Sequence, residues 1–226
     1  MTTGFRCPEQ RELMTETYSL QQLDKINIVS EDGKMTFGPD QEWYPEERAR
    51  ISGCGPTSGA LITAYLARTR PEKYGALYRE ATFGKADFVR HMQTLFRYLL
   101  PGPMGLNSLG LYREGMEAYL KSIGVLMTPL MFPVHGIDYF ERNRAEELRA
   151  FVRDALAEDQ PIAFLALSRG KETALQNWHW ITIVSAEISD EGLYATASDE
   201  GIARRFDLMN WYRTTRLSGG LIRLRG

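Results

Sequence analysis

Apolar positions recur at helical spacing through much of the chain before residue 160, and gather into short runs from about residue 125 onward. Residues 54–67, "CGPTSGALITAYLA", predict an apolar helix that breaks at "RTRPEKYG". Over 85–100, Phe88, Met92, Leu95, Phe96 and Leu99 fall on one helical face. "PGPMGLNS" is a loop by its proline and glycine content, and Asn107 or Ser108 is placed to cap the next helix, which closes at Gly124. Residues 144–159 form a fourth, amphipathic helical pattern. Strands are predicted for 125–132, "PIAFLALS", "WHWITIVSAE", "GLYATAS", "IARRFDL" and "GLIRLR", with a short helix around "MNWYRTT" before the last. Near the start, "INIVSEDGKMTF" reads as a hairpin turning at Asp32-Gly33.

A helical first half followed by a meander of strands, without regular βαβ alternation, predicts an α+β fold. The pattern divides the chain into an N-terminal extension carrying the hairpin, 1–37, and one domain of two lobes, 38–226. No internal repeat or low-complexity linker interrupts it.

Composition narrows the function classes. The 226 residues are 43% hydrophobic and 25% charged, ordinary for a globular protein, and the net charge of −2 offers no footprint for nucleic acid or an anionic membrane. Arg144, Arg149 and Arg153 are interleaved with carboxylates, as on a solvated helix face. "MTTGFRCPEQRELMTETYSL" carries charge throughout, and no run approaches the roughly 18 apolar residues of a membrane span. The expectation is a cytoplasmic chain with neither nucleic acid nor membrane as partner. Its two cysteines, Cys7 and Cys54, are then expected to stay reduced, with Cys7 an incidental thiol.

The stretch around Cys54 admits several chemistries. "GCGPTSGA" lacks the Lys-Ser/Thr ending of a phosphate-binding loop. Gly53, Gly55 and Ser58 approach a dinucleotide fingerprint, but "EERARIS" is too polar for the buried strand that must precede one. The histidines, His91, His135 and His179, lie at no ligand spacing, so neither metal nor cofactor is expected. His91 reads as a surface or satisfied histidine, and His135 as a loop residue with a structural role or a substrate contact.

What remains is a thiol in the first turn of a helix. Unpaired amide groups and the helix dipole favour thiolate there, Pro56 is tolerated in a first turn, and Gly53 and Gly55 let a substrate approach the backbone. The alternative is a small buried residue at a helix start. A nucleophile needs a base and an orienting group. His179 opens the strand "HWITIV", in which alternation puts Trp178, Trp180 and Thr182 on the opposite face. Its alternative is a core histidine bonded to backbone. The two tryptophans read as core packing or as cleft walls. Asp199 follows the next strand, where antiparallel pairing returns it to the imidazole, with Glu200 as the adjacent competitor.

Cys54 in "SGCGPTSGAL", His179 in "WHWITIVSA" and Asp199 in "ASDEG" together resemble the papain-fold cysteine peptidases, in particular the family related to the double-glycine leader peptidases of bacteriocin processing. The resemblance spans roughly residues 38–225. It implies a papain-like fold, a Cys54-His179-Asp199 triad, a peptide or protein substrate, and a cleft bordered by Gly53, Gly55, Trp178 and Trp180. It also implies an upstream glutamine completing an oxyanion hole with the Cys54 amide. Gln41 is the candidate, although it lies farther upstream than the papain-type interval, whose position holds Arg48. The final turn departs as well, reading Asp199-Glu200-Gly201 where many relatives have Asp-Pro-Gly. Segment 69–124 is expected to supply a substrate wall or lid. The function implied is hydrolysis of a peptide or isopeptide bond. An acyl or peptidyl transferase with the same triad, and a non-catalytic peptide-binding module, are the alternatives.

Overall fold

The computed structural model describes residues 15–139 and 143–226, so Cys7 lies outside the described residues. In chain order the elements are β1 (Glu16–Ser19), β2 (Ile28–Val29), β3 (Met35–Thr36), α1 (Glu47–Ser52), α2 (Cys54–Thr69), α3 (Pro71–Tyr74), α4 (Lys85–Tyr98), α5 (Leu109–Ile123) and β4 (Thr128–Val134). There follow α6 (Ala145–Ala157), β5 (Ile162–Ala166), β6 (His179–Ile188), β7 (Leu193–Asp199), β8 (Ile202–Asp207), α7 (Leu208–Thr214) and β9 (Gly219–Arg225). Short 3-10 turns at Leu23–Ile26, Gln41–Trp43 and Gly75–Leu77 complete the set. The architecture is α+β.

Seven strands form one antiparallel sheet in the order β4-β9-β5-β6-β7-β8. The seventh, β1, pairs with Ser185–Ile188 of β6, past the stretch that pairs with β5. The hairpin at Asp32-Gly33 is present as the two-residue pair β2-β3. Residues 16–37 are built into the same body, since β1 extends the sheet and Leu20, Ile26 and Ile28 are buried in the core.

The helix α2 is buried from Gly55 to Ala67, which is why its sequence is apolar nearly all round rather than amphipathic. It packs on β5, β6 and α4, while α5 covers β4 and β9 and α6 covers β1 and β6. Ser58 and Thr182 hydroxyls bond at 2.8 Å, fixing how α2 sits on β6. Ser108 caps α5 by accepting from the Leu111 amide, and Gly124 closes it in the left-handed region. That closure extends into Val125, whose amide returns to the Leu120 carbonyl. The expected strand at 125 therefore starts only at Thr128, and Leu126 is left 93% exposed. His91 is the satisfied core histidine, bonded to the Thr63 hydroxyl at 2.8 Å, and burial lowers its pKa to about 3, so it is neutral.

Sequence pattern alone did not reveal β1, whose residues are polar, or α1, whose "ERARIS" reads only as too polar for a buried strand. No helix among the described residues is long and apolar enough to cross a membrane.

The segment that follows β1 is tied down by a buried carboxylate. Asp159 accepts from the Tyr65 hydroxyl of α2, from the Gln21 amide at 2.9 Å and from Arg70 at 3.3 Å. Asp159→Ala leaves the buried Tyr65 hydroxyl without this acceptor, and is expected to cost about 2–4 kcal/mol in denaturant unfolding. Hydrogen-exchange protection should fall first in β1. Unchanged stability and β1 protection would show that this link does not hold the N-terminal segment.

Candidate active site

Gly53 joins α1 to α2 and is closely packed. A Cβ there would lie 2.3 Å from the Ala49 carbonyl oxygen and 2.5 Å from the Tyr44 ring. The chain can therefore turn here only without a side chain, and the next residue, Cys54, becomes the first of α2. Its thiol is partly exposed. A Cβ on Gly55 would meet Leu106 at 2.7 Å. Both glycines are buried, so they shape the bend and its packing and are absent from the cleft lining.

His179 opens β6, paired with Ala166 of β5. Asp199 is the last residue of β7, not the residue after it. The pairing Thr182↔Ser198 brings it back beside the start of β6, where His179 Nε2 lies 2.7 Å from Asp199 Oδ1. The other ring nitrogen, Nδ1, is not engaged by Asp199, and Cys54 lines the same pocket as the imidazole. Glu200, the competing carboxylate, has a left-handed backbone (φ 49°) and stays at the edge of the same pocket, where it accepts from the Gln176 amide at 3.3 Å rather than from His179.

Gln41 begins the 3-10 turn that Asp40 caps by accepting from the Glu42 amide. It shares a pocket with Cys54, His179 and Asp199, and its side-chain oxygen is buried without a hydrogen-bond partner. The unpaired atom is an acceptor, suited to a ligand's N–H or O–H; stabilising an oxyanion would fall to the NH2 end of the same amide.

Charge in the site is strongly coupled. Burial opposes protonation of His179, but its bonds to Asp199 and Cys54, and their charges, outweigh that and push its pKa up to about 10. Burial likewise opposes ionisation of Asp199, yet His179 and then Arg204 hold its carboxyl below the usual carboxylate range. Arg204 escaped the sequence reading. Its guanidinium donates from Nε to Asp199 Oδ2. The signal was available: a two-residue turn at Glu200-Gly201, both at positive φ, pairs Asp199 with Ile202 and Ala197 with Arg204, so Asp199 and Arg204 are diagonal neighbours on one sheet face.

A cleft of about 800 Å³ runs from Cys54 between Met104 and Leu106 on one side and Leu165, Leu167, Trp178 and Trp180 on the other. Trp180 is mostly core, stacked on Tyr112 at 4.5 Å and donating to the Leu106 carbonyl, which anchors the 101–108 loop as a cleft wall. Trp178 does not continue the strand's alternation. It precedes β6 with a left-handed backbone (φ 57°) and is 46% exposed over the cleft. Of segment 69–124, then, the loop borders the cleft, while α4 packs behind it on α2. His135 follows β4 and stacks on Tyr139, and it does not line the cleft.

His179, Asp199 and Glu200 place one donor atom each within 4.8 Å of one another. Both oxygens of Asp199 already serve His179 and Arg204, so this set suits a hydrogen-bonded relay better than a metal cage. No family model matches the chain, and no curated protein matches it.

The raised pKa has a consequence for stability. His179 contributes fully below pH 6.5, its unperturbed value, and the contribution fades as pH rises through about 10. The gap in unfolding free energy between wild type and His179→Gln is expected to narrow over that interval. A gap that stays constant from pH 6.5 to 10 would contradict the pairing.

Proposed function

We propose that the protein is a thiol hydrolase of papain-like type that cleaves a peptide or isopeptide bond. The observation that carries this reading is the convergence of Cys54, at the start of a buried helix, with a His179-Asp199 pair held at 2.7 Å. In the proposed reaction Cys54 Sγ, as thiolate, attacks the substrate carbonyl carbon. The oxygen takes up negative charge, met by the Gln41 amide and the Cys54 backbone N–H. Collapse breaks the C–N bond, and His179 Nδ1 gives its proton to the departing amine, leaving a thioester on Cys54. Water then attacks the thioester carbonyl, giving its proton to His179. The C–S bond breaks and the thiolate-imidazolium pair is restored. Asp199 holds the ring orientation throughout.

The cleft narrows the substrate. Tryptophan, leucine and methionine line much of the cleft, with Glu47, Arg48, Ser52 and Asn107 as its polar lining, so it suits a peptide with a large apolar residue beside the scissile carbonyl and polar groups within reach of α1.

The test pairs chemistry with turnover. Alkylation of Cys54 at pH 6, separated from Cys7 by peptide mapping, is expected to slow about tenfold or more in His179→Ala. Peptides with leucine or phenylalanine beside the cleaved bond should be hydrolysed, Cys54→Ala should abolish this, and Asp199→Asn should lower kcat/KM by about 100-fold or more. Wild-type reactivity matching an unpaired thiol, with pKa of about 8.5, would sink the proposal. Amide rather than acid products with added amines would reassign the protein to acyl transfer.

A further inference from the structure

Asp199 faces two cations rather than one. Its Oδ1 accepts from His179 and its Oδ2 from Arg204, and its side chain is almost wholly enclosed. Arg204 is itself three-quarters covered, and its Nη1 also reaches the Ala174 carbonyl at 3.4 Å, in the loop that leads to His179. A guanidinium held in this way is part of the site's wiring, and not a surface ion pair. The other titratable groups around the pair are Cys54 from α2 and Glu200 from the β7-β8 turn, while Gln41 presents only a neutral amide.

A base that must first carry a proton and then surrender it needs a partner that holds it firmly but not too firmly. A lone buried carboxylate would bind the imidazolium with its whole charge. We propose that Arg204 acts through Asp199 on His179: by occupying Oδ2 it divides the carboxylate's charge between two cations, limiting its hold on the imidazolium while fixing the direction of Oδ1. Arg204 is thus a positioning residue, and this inference rests on the assignment of His179 as the base.

The test needs no substrate. Histidine-labelled protein is titrated by NMR, with the His179 signal assigned by its loss in His179→Ala. In Arg204→Met the His179 midpoint is expected to move upward by about one pH unit, because a nearby positive charge has gone. Arg204→Gln, which keeps a donor for Oδ2 but no charge, should shift it likewise, and it carries the test if the methionine variant does not fold. Arg204→Lys should restore a midpoint near wild type. If Arg204 merely anchors the loop, its removal would loosen the His179-Asp199 bond and move the midpoint down or leave it in place, and either result overturns the inference. A high wild-type midpoint that the variants do not raise defeats only this inference. A wild-type midpoint near 6.5 would defeat the proposed ion-paired site as well.

Discussion

A carboxylate as deeply buried as Asp199, 4% exposed at the end of a strand, keeps its charge only if donors meet both of its oxygens. In this protein the two donors come from the strands on either side of β7. β6 supplies His179 and β8 supplies Arg204, so the charge balance of the site depends on the register of a three-stranded meander. A one-residue slip in either pairing would send one cation to the opposite face and leave the carboxylate half met. The short turn at Glu200-Gly201, with both residues at positive φ, fixes one register. In the other, the register shifts once, between Ile183 and Ser185, and the pairs Thr182↔Ser198 and Ile183↔Ala197 lie on the His179 side of that shift.

Cys54 belongs to a different layer, and its distance from the imidazole is therefore a matter of packing. α2 can lie close on the sheet because its first turns carry Gly55 and Ser58 where they face β6, while Gly59 gives the same room toward Leu99 and α5. Trp180 lies 3.3 Å from where a Gly55 Cβ would be, and the Ser58 hydroxyl bonds Thr182. The same residues that give the "GCGPTSG" string its motif-like look are thus explained twice, once by the thiol they present and once by the closeness of helix and sheet. The second explanation is purely steric and holds whatever the site does.

How much of this was readable beforehand follows from the range of each interaction. The long helices and the strands of the sheet declared themselves because periodicity and capping are local signals; Ser108 and Gly124 stand at the ends that their residue types suggest. The pairing of His179 with Asp199, rather than Glu200, was reachable from the meander. The strand β1 was not, because its polar residues are held by pairing with β6, which no local pattern announces. Trp178 was placed wrongly on a strand face for a related reason. Alternation is a rule for residues inside a strand, and the chain enters β6 through a left-handed residue that breaks it. Arg204 was overlooked because a strand arginine ordinarily reads as a solvated side chain, and only the two-residue turn makes it a diagonal neighbour of the carboxylate.

The two sides of Cys54 also differ. Toward Gln41 the hydroxyls, an amide and the charged pair lie beside Leu61 and Ile181, whereas toward the 101–108 loop tryptophan, leucine and methionine are joined by Glu47, Arg48, Ser52 and Asn107, so the difference is one of proportion. Charge separation between thiol and imidazole is easiest to sustain where polar groups already point at it, and apolar side chains are best held where fewer do. The loop wall depends on Trp180, whose indole N–H holds the Leu106 carbonyl while its ring stacks on Tyr112. Since Trp180 is the residue after His179 on β6, one strand sets both the position of the imidazole and a wall of the cleft. Any shift of that strand on α2 would therefore move the imidazole and the cleft wall together relative to Cys54.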